Sequence, residues 1–147
     1  MSMIKTWRWY GEHDTVKLED IRQTGVTHLV TSLSKIPYGA EWTVDAIMER
    51  KQLLEKNGFR WYVTESIPVN EDIKTRSGNY KDYIDNYKKS IENLSQCGVH
   101  IVCYNFMPVM DWTRTSLQYQ LKSGARTLRF EYLAFVAFDL YILKRQD

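Results

Sequence analysis

The densest group of side chains that could do chemistry lies in residues 104–115, directly after an apolar run at residues 99–103. The apolar run has the composition of a buried strand. The residues behind it bring Asn105, Asp111 and Arg114 to the end of that strand. Because folds with parallel strands bind ligands at the carboxyl ends of the strands, this segment is the first candidate for a binding site.

Polar side chains also follow the three earlier predicted strands. Arg8 comes at the end of the first, Ser32 follows the second, and Glu65 follows the third. Arginine pairs strongly with carboxylates, and the amide and carboxylate groups of Asn and Asp suit hydroxyls. This set is compatible with a polyhydroxylated acid as the ligand, but the residues alone do not name a reaction.

The histidines and cysteines do not form a recognisable metal or nucleophile motif. His28 and His100 lie near the starts of strands, and only His13 follows a strand end. The sequence has no His-x-x-x-His, Cys-x-x-Cys or paired-carboxylate spacing, no glycine-rich phosphate loop and no nucleophile elbow. Cys97 and Cys103 are expected to be reduced packing residues. We therefore predict no metal ligand in this sequence.

A repeated pattern predicts the elements that position these groups. A glycine followed by a β-branched and aromatic run recurs at residues 24–30, 57–63 and 97–103. Glycine suits the left-handed position past a helix end, and the run after it has strand composition. The other predicted elements are a strand at residues 6–10, a helix at about 16–23, a helix capped by Thr43, and an amphipathic helix at 80–96 whose apolar side includes Ile91 and Leu94.

The alternation of strand and helix, four times over, favours parallel pairing with right-handed crossovers. Two α/β architectures fit: a complete small doubly wound sheet, or the first half of an eight-stranded barrel of about 250 residues. Residues 119–130 then predict a hairpin that turns at Ser123-Gly124, and residues 131–145 predict a helix that is apolar nearly all round.

Such an apolar helix should be covered on all sides, and nothing follows Asp147 to cover it. We therefore expect a chain cut off within a domain, with a dimer interface over the last helix as the alternative. The net charge of +2 comes from intermixed acids and bases, which disfavours nucleic-acid binding. Without a signal peptide or an apolar run of roughly 18 residues, the predicted protein is cytoplasmic and has no membrane partner.

Three longer motifs, in order along the sequence, resemble the mannonate dehydratase family. They are WRWYG at residues 7–11, ESIPV at 65–69 with EDIK at 71–74, and VCYNFMPV at 102–109 with DWTRT at 111–115. The ILKR run at residues 142–145 is also similar to that family. The resemblance extends over residues 6–145.

The resemblance implies a xylose-isomerase-like (β/α)8 TIM barrel, of which residues 1–147 form the N-terminal portion of one domain, about the first four β/α units. It implies a cytoplasmic carbon–oxygen lyase that converts D-mannonate to 2-keto-3-deoxy-D-gluconate and water in hexuronate breakdown, and a homo-oligomer at full length. It also implies Fe(II) or Mn(II), which would stabilise the enolate-like charge formed beside the carboxylate.

Two departures limit what carries over. Family members are longer, and their metal ligands lie in later strands, so no ligand is assigned here and the chain by itself is expected to be inactive. Many members also have His where this sequence has Asn70. What carries over is a substrate-side rim of four predicted substrate-binding residues, namely Arg8, Asn105, Asp111 and Arg114. The alternative hypothesis is a non-catalytic α/β domain that binds a sugar acid or a partner.

Overall fold

The computed structural model describes residues 3–107 and 112–145, which form two compact units, one in each range. The first unit has parallel strands and the second has an antiparallel hairpin. In chain order, the first unit contains β1 (Thr6–Arg8), α1 (Leu18–Arg22), β2 (His28–Thr31), α2 (Val44–Lys56), β3 (Arg60–Thr64), α3 (Glu71–Thr75), α4 (Tyr80–Gln96) and β4 (Ile101–Val102).

The four strands of the first unit form one parallel sheet in the order β1-β2-β3-β4. The predicted parallel pairing is therefore confirmed. The order follows the sequence without a reversal, whereas doubly wound sheets reverse their strand order at a switch point. The pairings Arg8 with Val30, Thr31 with Thr64, and Thr64 with Val102 bring the carboxyl ends of neighbouring strands to the same edge.

The two long helices begin and end where local signals predict. The Thr43 hydroxyl accepts a hydrogen bond from the amide of Ala46 at 3.3 Å, which satisfies one free donor in the first turn of α2. The predicted bounds of α4 are confirmed at both ends. The helices pack on the sheet through fully buried apolar side chains, including Ile21, Leu29, Ile47, Leu54 and Leu94. This core fixes the helices and the strand ends relative to one another.

Four predictions for the first unit need correction. The run at 99–103 is not a buried strand: pairing covers only Ile101–Val102, and Ile101 is 43% exposed because β4 is an edge strand with one neighbour among the described residues. The first strand ends at Arg8 rather than at residue 10. A short helix, α3, was missed before α4. Ile91 does not join the buried side of α4, since it is 41% exposed.

The second unit contains β5 (Ser116–Gln120), β6 (Arg126–Arg129) and α5 (Tyr132–Phe138), which continues as a π-helical segment, Asp139–Leu143. The hairpin is confirmed, and Gly124 has a φ of +86° in its turn. Large apolar side chains of the last helix are exposed, as expected for a helix without cover: Leu133 is 76% and Tyr141 75% exposed. None of the helices within residues 3–107 and 112–145 is long and apolar enough to cross a membrane.

Candidate functional site

A cleft of about 210 Å³ lies at the carboxyl ends of β1, β2 and β3. Arg8 enters it from the end of β1, Ser32 from the residue after β2, and Glu65 from the residue after β3. These three groups are neighbours because the sheet order puts the three strands side by side. The cleft is also lined by Trp9, Tyr10, Ser34, Tyr38, Ser66 and Pro68.

Arg8 is held in this cleft by Glu65. One guanidinium nitrogen, Nη1, lies 3.1 Å from the Glu65 carboxylate and also donates a hydrogen bond to the Glu65 backbone carbonyl. The ring of Tyr10 lies below the guanidinium, with its centroid 4.7 Å from Cζ, a distance suited to a cation–π contact. These contacts fix the direction of a side chain that otherwise has many rotamers.

The ion pair does not use every donor of Arg8. The Arg8 side chain is 30% exposed, and its Nε is buried with no hydrogen-bond partner among the described residues. A guanidinium presents five N–H donors, and a carboxylate can take two of them in parallel. Arg8 can therefore bind an anionic ligand group while Glu65 holds its other side.

Hydroxyl groups surround this charged pair. Ser32 donates a hydrogen bond from its hydroxyl to the Ser66 carbonyl at 2.8 Å, which ties the end of β2 to the segment after β3. Tyr38 reaches the cleft from the loop before α2 and is 66% exposed. The cleft combines one fixed cation with hydroxyls and an apolar wall that includes Trp9. That combination suits a small polyhydroxylated acid.

Two buried threonines below this rim were missed by the sequence analysis. Thr31 and Thr64 are fully buried, pair in register at the ends of β2 and β3, and have hydroxyls without a partner among the described residues. A buried hydroxyl without a partner costs free energy, so these two positions call for an acceptor or a water. The only sequence feature that could have pointed to these residues is a threonine at the last position of both β2 and β3.

Of the other three predicted site residues, Asn105 belongs to the same unit as Arg8. Asn105 is exposed, three residues past β4, at the opposite edge of the sheet from β1. Arg114 lies in the second unit, where it donates to the Thr113 carbonyl at 2.8 Å and lies over the Trp112 ring at 5.4 Å. Asp111 lies outside the described residues. The substrate-binding roles of all four residues stay predictions.

Asn70, the position where the sequence departs from the pattern, has a structural role. Its side-chain oxygen accepts a hydrogen bond from the amide of Asp72 at 2.9 Å and caps α3. Its side-chain nitrogen donates to the Tyr38 carbonyl at 3.0 Å. Asn70 thus links the segment after β3 to the loop that brings Tyr38 into the cleft.

The similarity to known proteins covers nearly the whole sequence. The family model described as D-mannonate dehydratase (UxuA) matches residues 3–145. The chain belongs to the D-mannonate dehydratase family. The mannonate dehydratase of Marinomonas sp. (strain MWYL1) is 57% identical over 144 residues, and that of Saccharophagus degradans is 49% identical over 145 residues.

The chain spans little more than a third of these relatives. The alignments cover 98% and 99% of this chain but 37% and 36% of the two curated proteins. A crystal structure of mannonate dehydratase from Streptococcus suis serotype 2 superposes with a TM-score of 0.81 at 42% identity, over 92% of this chain and 39% of that one. The comparison supports the mixed α/β fold with a parallel sheet.

Family membership implies a metal-dependent enzyme, so we asked whether the described residues could hold a metal ion. No group of three or more His, Cys, Asp or Glu side chains within residues 3–107 and 112–145 is arranged to do so. The cleft at Arg8 offers a single carboxylate, Glu65, which is already paired. The described residues therefore do not fit a metal site, and no step can be assigned to a metal held by them.

Proposed function

We propose that this chain contributes the substrate-side rim of a mannonate dehydratase, a lyase that converts D-mannonate to 2-keto-3-deoxy-D-gluconate and water. The observation that carries the proposal is the family match over residues 3–145, together with an Arg8 guanidinium fixed at the strand ends. The substrate is a carboxylate that carries hydroxyls, which is the ligand chemistry that the cleft favours.

Arg8 is proposed to bind the carboxylate of D-mannonate. The ion pair with Glu65 fixes the orientation of the Arg8 guanidinium before the substrate binds. Such preorganisation lowers the cost of orienting the substrate. Asn105, Asp111 and Arg114 are proposed as further groups that position the sugar acid, and no general acid or base is assigned.

The strand order supports a partial TIM barrel as the architecture. Four parallel strands in sequential order, with helices between them, are what one side of a (β/α)8 barrel contains. In such barrels the loops after the strands form the active site, which agrees with the position of the Arg8 cleft. Fe(II) or Mn(II), an assembly of like subunits and a cytoplasmic location remain expectations from the family.

The test uses a chimera in which this chain replaces the matching segment of the Marinomonas relative. The chimera is assayed for 2-keto-3-deoxy-D-gluconate formed from D-mannonate, with Mn(II) and with Fe(II). A hydrogen bond to a charged group is worth about 1.5–3 kcal/mol, so Arg8→Ala should lower kcat/KM by about 10- to 150-fold. Arg60→Ala is the matched control, because Arg60 is exposed at the amino end of β3.

Equal activity of the two variants would refute the role of Arg8, and an inactive but folded chimera would refute the functional assignment. The 147-residue chain is assayed beside the chimera. Binding of D-mannonate by the chain without turnover, combined with an inactive chimera, would instead support the alternative of a non-catalytic sugar-acid-binding domain.

A further inference from the structure

A second cleft, of about 300 Å³, lies between α2 and the loops that follow β1 and β2. Its lining differs from that of the Arg8 cleft, with which it shares no residue. One part of the wall is apolar, formed by Leu33, Ile36 and Leu53. The volume falls at the lower end of the range for small-molecule sites.

The wall of this cleft contains a buried cation, one nitrogen of which lacks a hydrogen-bond partner among the described residues. Arg50, in the middle of α2, is only 8% exposed, and its Nη1 has no hydrogen-bond partner among the described residues. Burial lowers the pKa of Arg50, although the charges of Glu12 and Glu49 act in the opposite direction. Burying a guanidinium without an acceptor is costly, so the fold keeps this charge at the expense of stability.

Two neighbours hold the Arg50 guanidinium in place. The ring of Trp9 lies against it, with the centroid 5.1 Å from Cζ. Gly11, with a φ of +99°, leaves the space that the guanidinium occupies, since a Cβ there would lie 3.1 Å from Nη1. The indole Nε1 of Trp9 is also buried without a partner among the described residues. Two buried donors at one place therefore lack an acceptor.

Five charged residues line the cleft, two acidic and three basic, which leaves one excess positive charge: Glu12, Glu49, Lys35, Arg50 and Lys56. Lys35 is paired with Glu12, and this hydrogen bond lowers the pKa of Glu12. Lys56, in the last turn of α2, has no ion-pair partner among the described residues. An anion in the cleft would meet two cations without an ion-pair partner among the described residues, Arg50 and Lys56, and one carboxylate, Glu49.

We propose that this second cleft is a binding site for a small organic carboxylate with an apolar body, distinct from the site of the dehydratase reaction. The carboxylate binds towards Arg50 and Lys56, and the apolar body packs against Leu33, Ile36 and Leu53. Trp9 also lines the Arg8 cleft, but Arg8 and Glu65, which carry the proposed function, take no part in this proposal, so that either can fail without the other.

The test is a titration of the 147-residue chain with hexanoate, which has the proposed chemistry, and with hexanamide and inorganic phosphate. Two-dimensional ¹H–¹⁵N spectra follow the indole N–H of Trp9, next to Arg50, and calorimetry measures affinity. We expect saturable binding of hexanoate that shifts this resonance, with affinity at least about 10-fold higher than for hexanamide, which lacks the charge. Phosphate, which lacks the apolar body, should bind more weakly than hexanoate.

The variants Lys56→Glu and Lys81→Glu make the same change of charge at two exposed sites. Lys56 lines the cleft, whereas Lys81 lies on α4 away from it. Lys56→Glu should weaken hexanoate binding several-fold and Lys81→Glu should not. Arg50→Met should abolish binding, and Lys56→Glu still tests the site if Arg50→Met fails to fold. The proposal is overturned by absence of saturable binding, by equal affinity for hexanamide or phosphate, or by equal effects of the two lysine variants.

Discussion

Replacing Ser90 by alanine should destabilise the first unit, although the change is small and lies in a helix. Ser90 is fully buried in α4, and its hydroxyl accepts a hydrogen bond from the Trp42 amide at 2.9 Å. The same hydroxyl donates to the Asn86 carbonyl at 2.7 Å. Alanine leaves the buried Trp42 amide without an acceptor, which lowers the free energy of unfolding by about 1–3 kcal/mol. The higher helix propensity of alanine raises it by about 0.5 kcal/mol. The expected net loss is about 0.5–2.5 kcal/mol.

The measurement is urea unfolding followed by tryptophan fluorescence, with Ser95→Ala as the control. Ser95 is exposed on the same helix, so its variant gains the propensity without losing a buried hydrogen bond. Ser90→Ala should also speed hydrogen exchange at the Trp42 amide. Equal stability of the two variants would show that another group or water replaces the hydroxyl, and the reasoning from buried partners would fail.

Three other perturbations have expected outcomes. Gly39→Ala should cost at least about 1–3 kcal/mol in urea unfolding, because φ is +89° and a Cβ would lie 2.6 Å from Tyr83 Cδ1. Thr43→Ala should cost about 1 kcal/mol by removing the cap of Ala46, and Thr43→Ser should restore most of it. Asp14 accepts two backbone hydrogen bonds that lower its pKa, so its stabilisation is present at neutral pH and lost as pH falls through that lowered pKa. Asp14→Asn should therefore destabilise at pH 7, and the difference should shrink as pH falls below the ordinary aspartate pKa of about 3.9, as measured by urea unfolding across pH.

The parts of the fold that sequence predicted are those that local interactions determine. The bounds of α4 and the start of α2 follow from caps and helical periodicity, which depend on residues a few positions apart. The parallel pairing follows from the alternation of strands and helices. The five-residue helix α3 was not predicted, because so short a segment shows no hydrophobic periodicity, although Asn70 caps it.

Features set by distant neighbours could not be obtained in the same way. The extent of β4 depends on β3, its one partner among the described residues, and the composition of residues 99–103 carries no information about that pairing. Ile91 was expected on the buried side of α4, but Ser90 is the buried residue. Its hydroxyl accepts a hydrogen bond from the Trp42 amide, a contact with a residue distant in the sequence. Hydrophobic periodicity counts only apolar residues, so it does not predict the burial of a polar residue that hydrogen-bonds to a distant part of the chain.

For the candidate site, the sequence predicted residues at strand ends, and the contacts between them could not be predicted. Arg8 was predicted at a strand end, and Glu65 was noted at another, yet their ion pair depends on β1 and β3 flanking β2. The buried Nη1 of Arg50, which lacks a hydrogen-bond partner among the described residues, was not predicted, because an arginine within an amphipathic helix normally reaches solvent. Its burial depends on Trp9 and Gly11, which lie some forty residues earlier in the sequence.

The substrate-side prediction depends on the barrel proposal through geometry. Arg8 and Asn105 follow the two edge strands, which three strand spacings separate, about 14 Å along the sheet. On a flat sheet, side chains at the two edges extend side by side, and one six-carbon acid could not engage both. On a curled sheet they converge across the mouth of the ring, and the ligand lies between them. An experimental structure with a flat sheet would therefore exclude a shared ligand for Arg8 and Asn105, even if each binds an anion alone.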